Sequence, residues 1–395
     1  MKPLYISTGQ PADGKNKFLY RKNIIDKIWR KLERGEDLLI AAPRRVGKSS
    51  ILRYIQKNPK DGYLIKYLTI MSVDNANSYF KQIYNSILED DDIFNIADTY
   101  IKKTKRNVKN WIKKIRGVSL EGLEVDNNDQ IDYFYEIIEL LQSLPKSSPK
   151  IIFLIDEFPD CVSNIAMNNK KEAINFLQQN RDLRQQYSDL NIQFVLTGSI
   201  GLGNVVKRLG REDIITDLEF VEVPPLSNDE ATELIDRLCL GLKNANINIH
   251  LDDSTKAYLL EKIVWNIPYY IQIIVDELGD EIVENEYDIK SDDIDRIIDK
   301  IIKDRSHADY FSNWKVRLRN TFEKLEEQVA IKILNYISRD STMCFDDIKR
   351  MIQDKVNLKE LLEILKYDGY INEFDGVYRF NSPILKAWWA YRVAE

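Results

Sequence analysis

Residues 38–55 read LLIAAPRRVGKSSILRYI. The apolar run 38–41 is too short for a helix and predicts a buried strand, whereas 48–57 has apolar residues at helical spacing and stops at Asn58-Pro59. A loop that leaves a buried strand and enters a helix can wrap a phosphate group with its backbone N–H groups. This stretch therefore predicts an α/β fold with a phosphate-binding loop.

Individual residue types in the loop fit phosphate chemistry. Gly47 leaves the backbone unhindered, Lys48 can reach the β- and γ-phosphates, and the Ser49 hydroxyl can bind Mg²⁺. Ala42 stands where the pattern has its first glycine, which is tolerable if its φ stays negative. A chance match is the alternative, but the flanking strand and helix argue against it. The predicted ATP contacts are Ala42, Pro43, Arg44, Arg45, Val46, Gly47, Lys48, Ser49 and Ser50.

A second apolar run delivers two carboxylates. Residues 150–155 predict a buried strand, and Asp156 and Glu157 follow at its carboxyl end, where open α/β sheets bind ligands. We expect Asp156 to hold Mg²⁺ and Glu157 to act as the general base on the attacking water.

A further strand, 192–197, ends in Thr197, Gly198 and Ser199. The small hydroxyl groups there either orient the water or contact the γ-phosphate, or they simply form a turn. Strand 63–71 and helix 170–187 complete an alternating pattern. Apolar strands that alternate with helices indicate a mainly parallel sheet covered on both faces.

The pattern changes at Pro224-Pro225. We predict a nucleotide-binding core over 1–226 with a helical and basic insert at about 75–148, and a helical lid over 227–304. The lid begins at a capping box, Ser227 to Glu230. Residues 305–320 are taken as a connector.

Residues 321–395 predict three helices, a hairpin around Asp375-Gly376 and a last helix, which is the pattern of a winged helix.

Composition excludes several classes of protein. The chain has 395 residues with a formal net charge of −6, three separated cysteines and two histidines. With so few cysteines and histidines, no disulfide framework, zinc site or Ser-His-Asp triad is expected. No apolar run approaches the roughly 20 residues that span a bilayer. We therefore expect a cytoplasmic protein that does not enter membranes.

These motifs in this order resemble the archaeal-ATPase-type branch of the STAND class, which is related to AAA+ and origin-recognition ATPases. The resemblance rests on the loop 41–49, on the strand end 154–158, on 196–199, and on 265–270 in the lid. It implies an AAA+-like P-loop NTPase with a helical lid and a C-terminal winged helix.

The resemblance also implies roles for residues outside the loop. The nucleotide would be clamped between core and lid, with Pro268 near the base and Tyr20 and Arg21 beside it. Arg208 and Arg211 match the place of an arginine that faces the nucleotide, from a neighbouring subunit or after a domain movement; they are otherwise surface residues. Asn266 replaces the glycine of the family's Gly-x-Pro signature.

Two functions remain open. The first is an ATP-driven switch that is read by a protein partner or by self-assembly, as in defence, stress or mobile-element regulation. The second is a DNA-binding loader or regulator that uses the basic segment 102–116, with Trp111, and the winged helix. That segment also fits an amphipathic helix with a solvated face, and helix 357–368 is not electropositive, so nucleic acid is not favoured. A metabolic kinase is disfavoured because no domain for a small substrate is evident.

Overall fold

The computed structural model describes residues 2–5, 11–12, 17–89, 131–198, 201–281, 287–307, 309–340, 342–352 and 355–394. The basic segment 102–116, the short strand expected over 117–125 and Ser199 lie outside the described residues. The chain divides into two compact units by its packing. The sheet unit comprises Lys22–Ala41 and Leu52–Val221, and the lid unit comprises Met1–Arg21, Ala42–Ile51 and Glu222–Glu395. The domain bounds predicted from the sequence stay a prediction.

The sheet unit alternates strands and helices. In chain order its elements are α1 (Lys22–Glu33), β1 (Leu38–Ala41), α2 (Lys48–Lys57, which begins in the lid unit), β2 (Tyr63–Thr69), α3 (Ala76–Leu88), α4 (Tyr133–Gln142), β3 (Lys150–Asp156), α5 (Phe158–Asn168), α6 (Lys170–Gln185), β4 (Ile192–Thr197), α7 (Leu202–Leu209) and β5 (Glu219–Glu222). Helix α5 and strand β5 were not anticipated from the sequence. The strand has a single buried residue, Val221, so it carries no apolar run.

The five strands form one sheet in the order β2-β3-β4-β1-β5. The pairs β2–β3, β3–β4 and β4–β1 are parallel. Their register aligns Asp156 with Thr69, and Ile40 with Thr197. The carboxyl ends of β1, β3 and β4 therefore share one edge of the sheet, as predicted. The phosphate loop begins at the residue after Ala41, and Asp156 ends β3 at this same edge.

A buried apolar core lies behind that edge. Ile151 to Ile155 are at most 1% exposed, and the rings of Phe153 and Phe194 stack with centroids 5.4 Å apart. Edge-to-face contacts join Tyr79 to Phe80 on the same helix, α3, and to Phe176 on α6. Aromatic burial of this kind stabilises through apolar area and ring geometry together. The strand ends that carry Asp156 and Thr197 therefore extend directly from a packed apolar core.

One buried carboxyl group gives the sheet unit a pH-dependent stability. Burial raises the pKa of Asp37 from 3.8 to about 6, although the Phe194 N–H donates to it and Arg184 lies near. The folded state thus holds this proton more tightly than the unfolded state does. The resulting stabilisation is complete below about pH 4 and is lost as the pH rises through 6.

The Asp37→Asn variant carries no charge at this position at any pH. We expect its unfolding free energy, minus that of wild type, to rise by about 3 kcal/mol as the pH is raised from 4 to 7. Urea unfolding at the two pH values measures the difference. The exposed Asp61→Asn substitution controls for the charge change. A difference between Asp37→Asn and wild type that does not vary with pH contradicts the prediction.

The lid unit continues the chain with α8 (Asn228–Asn244), β6 (Ile249–His250), α9 (Asp253–Ile263), α10 (Pro268–Glu281), β7 (Tyr287–Asp288), α11 (Ser291–Lys303) and α12 (Asp309–Thr321). The predicted capping box is confirmed: Ser227 Oγ accepts from the Glu230 N–H, and the Glu230 carboxylate accepts from the Ser227 N–H. The lid is not wholly helical, because β6 and β7 form a short parallel pair.

The segment taken as a connector is mostly helical. Phe311 is fully buried, and Trp314 and Leu318 lie one and two turns away on the same face at 4% and 0% exposure. The apolar spacing of this segment therefore serves packing and does not mark a linker.

The C-terminal part has the elements of a winged helix, as predicted. They are α13 (Lys324–Asp340), β8 (Met343–Cys344), α14 (Phe345–Met351), α15 (Leu358–Tyr367), β9 (Ile371–Phe374), β10 (Val377–Phe380) and α16 (Pro383–Arg392). Strands β8, β10 and β9 form an antiparallel sheet whose hairpin turns at Asp375 and Gly376, both with positive φ. Arg392 donates to the carbonyls of Ile302, Lys303 and Asp304, which joins α16 to the end of α11.

Candidate nucleotide site

The loop between β1 and α2 has the backbone of a phosphate cradle. Gly47 has a φ of 100° and Arg45 a φ of 66°, a left-handed conformation that costs a non-glycine residue free energy and clusters at functional sites. The Lys48 side chain is 8% exposed, and its ammonium donates to the carbonyls of Ala42 at 2.8 Å and Pro43 at 2.9 Å. Helix α2 begins at Lys48 without an acidic residue in its first turn, so its N-terminus favours an anion.

The two serines after Lys48 differ in their surroundings. Ser50 Oγ accepts a hydrogen bond from the Ala12 N–H at 2.9 Å, which ties the N-terminal segment to the first turn of α2. Ser49 is partly exposed. A hydroxyl and a carboxylate are oxygen ligands of the kind that Mg²⁺ prefers, so Ser49 and Asp156 fit this ion by the chemistry of their donor atoms.

In the sheet unit, Asp156 is 4% exposed and accepts a hydrogen bond from the Tyr67 hydroxyl at 2.8 Å. Tyr67 pairs in register with Leu154, two residues before Asp156 on the neighbouring strand, and such diagonal pairs are within reach of aromatic side chains. Burial, with the nearby Asp156 charge, raises the pKa of Tyr67. The hydroxyl therefore stays a donor and orients the carboxylate. Sequence reasoning missed Tyr67, because only the strand register identifies its partner.

Glu157 lies at a strained turn between β3 and α5. Its φ of 61° and ψ of 36° are left-handed. Its carboxylate lies beside Gly198, where an added Cβ would be 3.4 Å from Glu157 Oε2 and would collide with the Pro159 ring. The residue after β4 must therefore be glycine to leave room for the Pro159 ring, while Glu157 Oε2 lies at an ordinary contact distance. This geometry brings the predicted base and the end of β4 together.

Thr197 has a buried hydroxyl without a visible role in packing. The residue is 0% exposed, and its Oγ1 has no hydrogen-bond partner among the described residues. A buried hydroxyl without a partner costs free energy. Such an atom at the ligand edge of the sheet is available for a ligand or for an ordered water.

Of the two predicted finger arginines, Arg208 lies in the last turn of α7 and Arg211 follows that helix. Arg211 donates to Asp213 and to Gln178 on α6, at 2.9–3.1 Å. Arg208 is exposed near the end of α7, and its carbonyl accepts from Lys170 at 3.4 Å. A role of Arg208 or Arg211 towards the nucleotide stays a prediction.

A pocket in the lid unit opens beside the loop. Val46, Gly47, Ser50 and Ile51 line one side, and Pro268 begins the helix on the other. The remaining lining is mainly apolar and includes Phe18, Leu19, Leu226 and Leu234. A mainly apolar pocket with few polar groups is what a small-molecule site requires.

Tyr20 and Arg21, which were predicted to lie beside the nucleotide, differ in their position relative to the pocket. Arg21 borders the pocket, but its guanidinium donates to the carbonyls of Pro224 and Pro225 and to Glu230. Tyr20 is 46% exposed and is not among the lining residues, whereas Phe18 and Leu19 are. The apolar character of Phe18 and Leu19 is the sequence feature that could have identified them as lining residues.

The Gly-x-Pro position before α10 also departs from the pattern. Asn266 is 6% exposed and its amide donates to Asn228 Oδ1 at 2.9 Å, with no positive φ. The left-handed residue is Val264, at φ 59°. Asparagine therefore replaces the glycine without strain and fastens the motif to the start of α8.

Within the lid unit, the loop contacts both the lid and the winged helix. The Arg45 guanidinium lies 3.5 Å from the centre of the Tyr269 ring, a cation–π contact. A Cβ on Gly369, which follows α15, would lie 3.0 Å from Pro43 Cβ and would collide with Trp265. The backbone of the winged helix therefore packs directly on the loop and on the segment before α10.

Neither a metal cluster nor reactive thiol chemistry at Cys161 and Cys239 is supported by the described residues. No group of three His, Cys, Asp or Glu side chains among them could hold a metal. Burial raises the pKa of Cys161 and of Cys239 to about 12, which leaves both thiols protonated at neutral pH. No helix in this part of the chain is long and apolar enough to cross a membrane.

Solved structures share this fold, among them an ATPase and an ORC protein. The Walker-type ATPase PABY2304 of Pyrococcus abyssi matches with a TM-score of 0.61 and 18% identity, over 96% of this chain and 98% of its own. The ORC2 protein of Aeropyrum pernix, solved as ADPNP–ADP complexes, matches with a TM-score of 0.53 and 10% identity, over 97% and 94%. No protein-family model and no curated protein matches the sequence.

The fold is therefore that of an AAA+-like P-loop NTPase, as the sequence predicted. The likeness to these structures shows the fold alone. Membership of the STAND class stays a prediction.

Proposed function

We propose that this chain binds and hydrolyses ATP and that its nucleotide state controls the lid and winged helix. The observation that carries the proposal is the set of residues that follow the carboxyl ends of β1, β3 and β4. Strand β1 leads directly into a loop with left-handed Gly47 and buried Lys48, and β3 and β4 end at the same edge with Asp156, Glu157 and Thr197. A phosphate-binding loop that follows one strand, with carboxylates that end another strand of the same sheet, is the combination that phosphoryl transfer to water requires.

Each group has one role in this proposal. The N-terminus of α2 and Lys48 bind the phosphates, and Ser49 and Asp156 are the residues that would hold Mg²⁺, which neutralises charge on the phosphate oxygens. Tyr67 keeps Asp156 oriented. Glu157 accepts the proton of the attacking water.

Thr197 is proposed to position that water through its unpartnered hydroxyl. We expect Thr197→Val to lower kcat about 3- to 10-fold, the effect of one lost hydrogen bond, while ATP affinity and stability stay close to wild type. Valine keeps the shape and removes a buried hydroxyl that has no described partner. Steady-state phosphate release and ATP titration measure the two effects.

The matched control is Thr197→Ser, which keeps the hydroxyl and should keep most of the turnover. A wild-type kcat in Thr197→Val would show that the hydroxyl does not take part in hydrolysis.

The switch part of the proposal rests on contacts within the lid unit. Arg45 in the loop stacks on Tyr269, whose hydroxyl donates to the Tyr310 carbonyl at 3.2 Å on α12. On its other side the loop packs through Pro43 against Trp265 and Gly369. A nucleotide that reshapes the loop therefore moves atoms that touch α10 and the winged helix. These contacts are the differential interactions through which a ligand can shift a conformational equilibrium.

We expect hydrogen exchange in α10 and in β9–β10 to differ between the ATP-bound and ADP-bound protein, and Tyr269→Leu to reduce that difference several-fold. Cation–π contacts of about 0.5–2 kcal/mol support an effect of this size. Tyr269→Phe keeps the ring and removes only the hydroxyl bond to Tyr310, so as the control it should retain most of the difference between ATP and ADP. Equal exchange with ATP and with ADP in the wild-type protein would contradict the switch and leave hydrolysis unaffected.

The alternative, a DNA-binding regulator, gains no support from the described residues. In α15, Lys366 is paired with Glu363 at 2.7 Å and with Glu373 at 2.9 Å, which cancels its charge for a phosphate backbone. Binding to duplex DNA that weakens steeply with salt concentration would favour this alternative over a protein partner or self-assembly.

A further inference from the structure

The pocket beside the phosphate loop contains one partly buried polar side chain, Gln272, that makes no hydrogen bond to any described residue. Gln272 lies on α10 one turn after Pro268, so both face the pocket. Its flanking residues Ile271 and Ile273 are fully buried, while Gln272 is partly exposed. Its carboxamide makes no hydrogen bond within the described part of the chain.

The other polar lining groups are already engaged or exposed. The Arg21 guanidinium is held by Glu230 and two carbonyls, and the Ser50 hydroxyl accepts from Ala12. Lys17 is exposed. Gln272 is therefore the polar group that the pocket offers to a ligand among apolar walls such as Phe18, Leu226 and Pro268.

We propose that Gln272 reads the edge of the nucleobase and selects adenine. This inference rests on the proposed function, because it assumes that the nucleotide's phosphates lie on the loop next to Val46 and Gly47. A carboxamide has an acceptor oxygen beside a donor nitrogen. Adenine has the complementary pair, its N6 amino group beside a ring nitrogen, and glutamine binds that pair with two hydrogen bonds. The N7/O6 edge of guanine has two acceptors and cannot satisfy both atoms.

The test is Gln272→Glu, because a carboxylate only accepts hydrogen bonds. It cannot donate to an adenine ring nitrogen, and it suits the N1–H and N2 amino donors of guanine. We expect wild type to bind ATP more tightly than GTP. In the variant we expect the ratio of ATP to GTP affinity to fall about 10- to 100-fold, the size of one bidentate base contact. Calorimetric titration with each nucleotide measures the ratio.

Two further variants separate base recognition from the effect of an added charge and from the effect of losing the side chain. Gln328→Glu makes the same change of charge at an exposed position of α13 and should leave the ratio unchanged. Gln272→Ala should weaken ATP binding without creating a preference for GTP. An unchanged ratio in Gln272→Glu, with ATP binding that still depends on Lys48, overturns the base-reading role and leaves the proposed function standing. If wild type binds neither nucleotide, both proposals fail.

Discussion

The Lys48→Ala variant should bind ATP about 10- to 100-fold more weakly than the wild-type protein. Loss of a charge-assisted contact costs roughly 1.5–3 kcal/mol, and buried charges lie at the stronger end of that range. The Lys48 side chain is 8% exposed and points into the loop, where it donates to the Ala42 and Pro43 carbonyls. Its ammonium is thus desolvated before it meets a phosphate.

Calorimetry with ATP measures the change in affinity for Lys48→Ala. Lys57→Ala removes the same type of side chain from the exposed end of the same helix and should bind ATP as wild type does. Thermal unfolding of both variants checks that the loop substitution does not simply unfold the protein. ATP affinity that is unchanged in a folded Lys48→Ala variant would remove the basis for assigning the loop to phosphate binding.

Glu157→Gln should keep ATP affinity within a few-fold of wild type and slow hydrolysis by about 100- to 10,000-fold. The amide preserves the shape of the side chain beside Gly198, but it cannot accept a proton from water, and general-base catalysis contributes rate factors of that size. Single-turnover release of phosphate measures the chemical step apart from product release.

Glu139→Gln on the exposed face of α4 is the matched control and should hydrolyse ATP at the wild-type rate. If Glu157→Gln turned over ATP as fast as wild type, another group would have to activate the water. Slow hydrolysis together with retained binding would also supply a stable ATP-bound form for the hydrogen-exchange comparison of α10 and the winged helix.

Local sequence patterns were enough to predict the elements whose structure depends on residues close together in the chain. Strands β1, β3 and β4 were predicted from short apolar runs, because a strand buried on both faces must be apolar along its whole length. The start of α8 was predicted from its capping box, whose two hydrogen bonds join residues three apart. Strand β5 was missed because it has a single buried residue and no apolar run. Helix α12 was taken as a connector although Phe311, Trp314 and Leu318 have helical spacing.

The sequence by itself determined the strand–loop–helix at 38–57 and the carboxylates after β3, since each depends on a few consecutive residues. Only the tertiary structure decided which distant groups meet: Tyr67 with Asp156, Glu157 with Gly198, Arg45 with Tyr269, and Gln272 with the pocket beside the loop. These pairings depend on strand register, on left-handed backbone at single residues and on the packing of α10. A linear pattern does not specify these, because they arise when segments far apart in the chain are brought together.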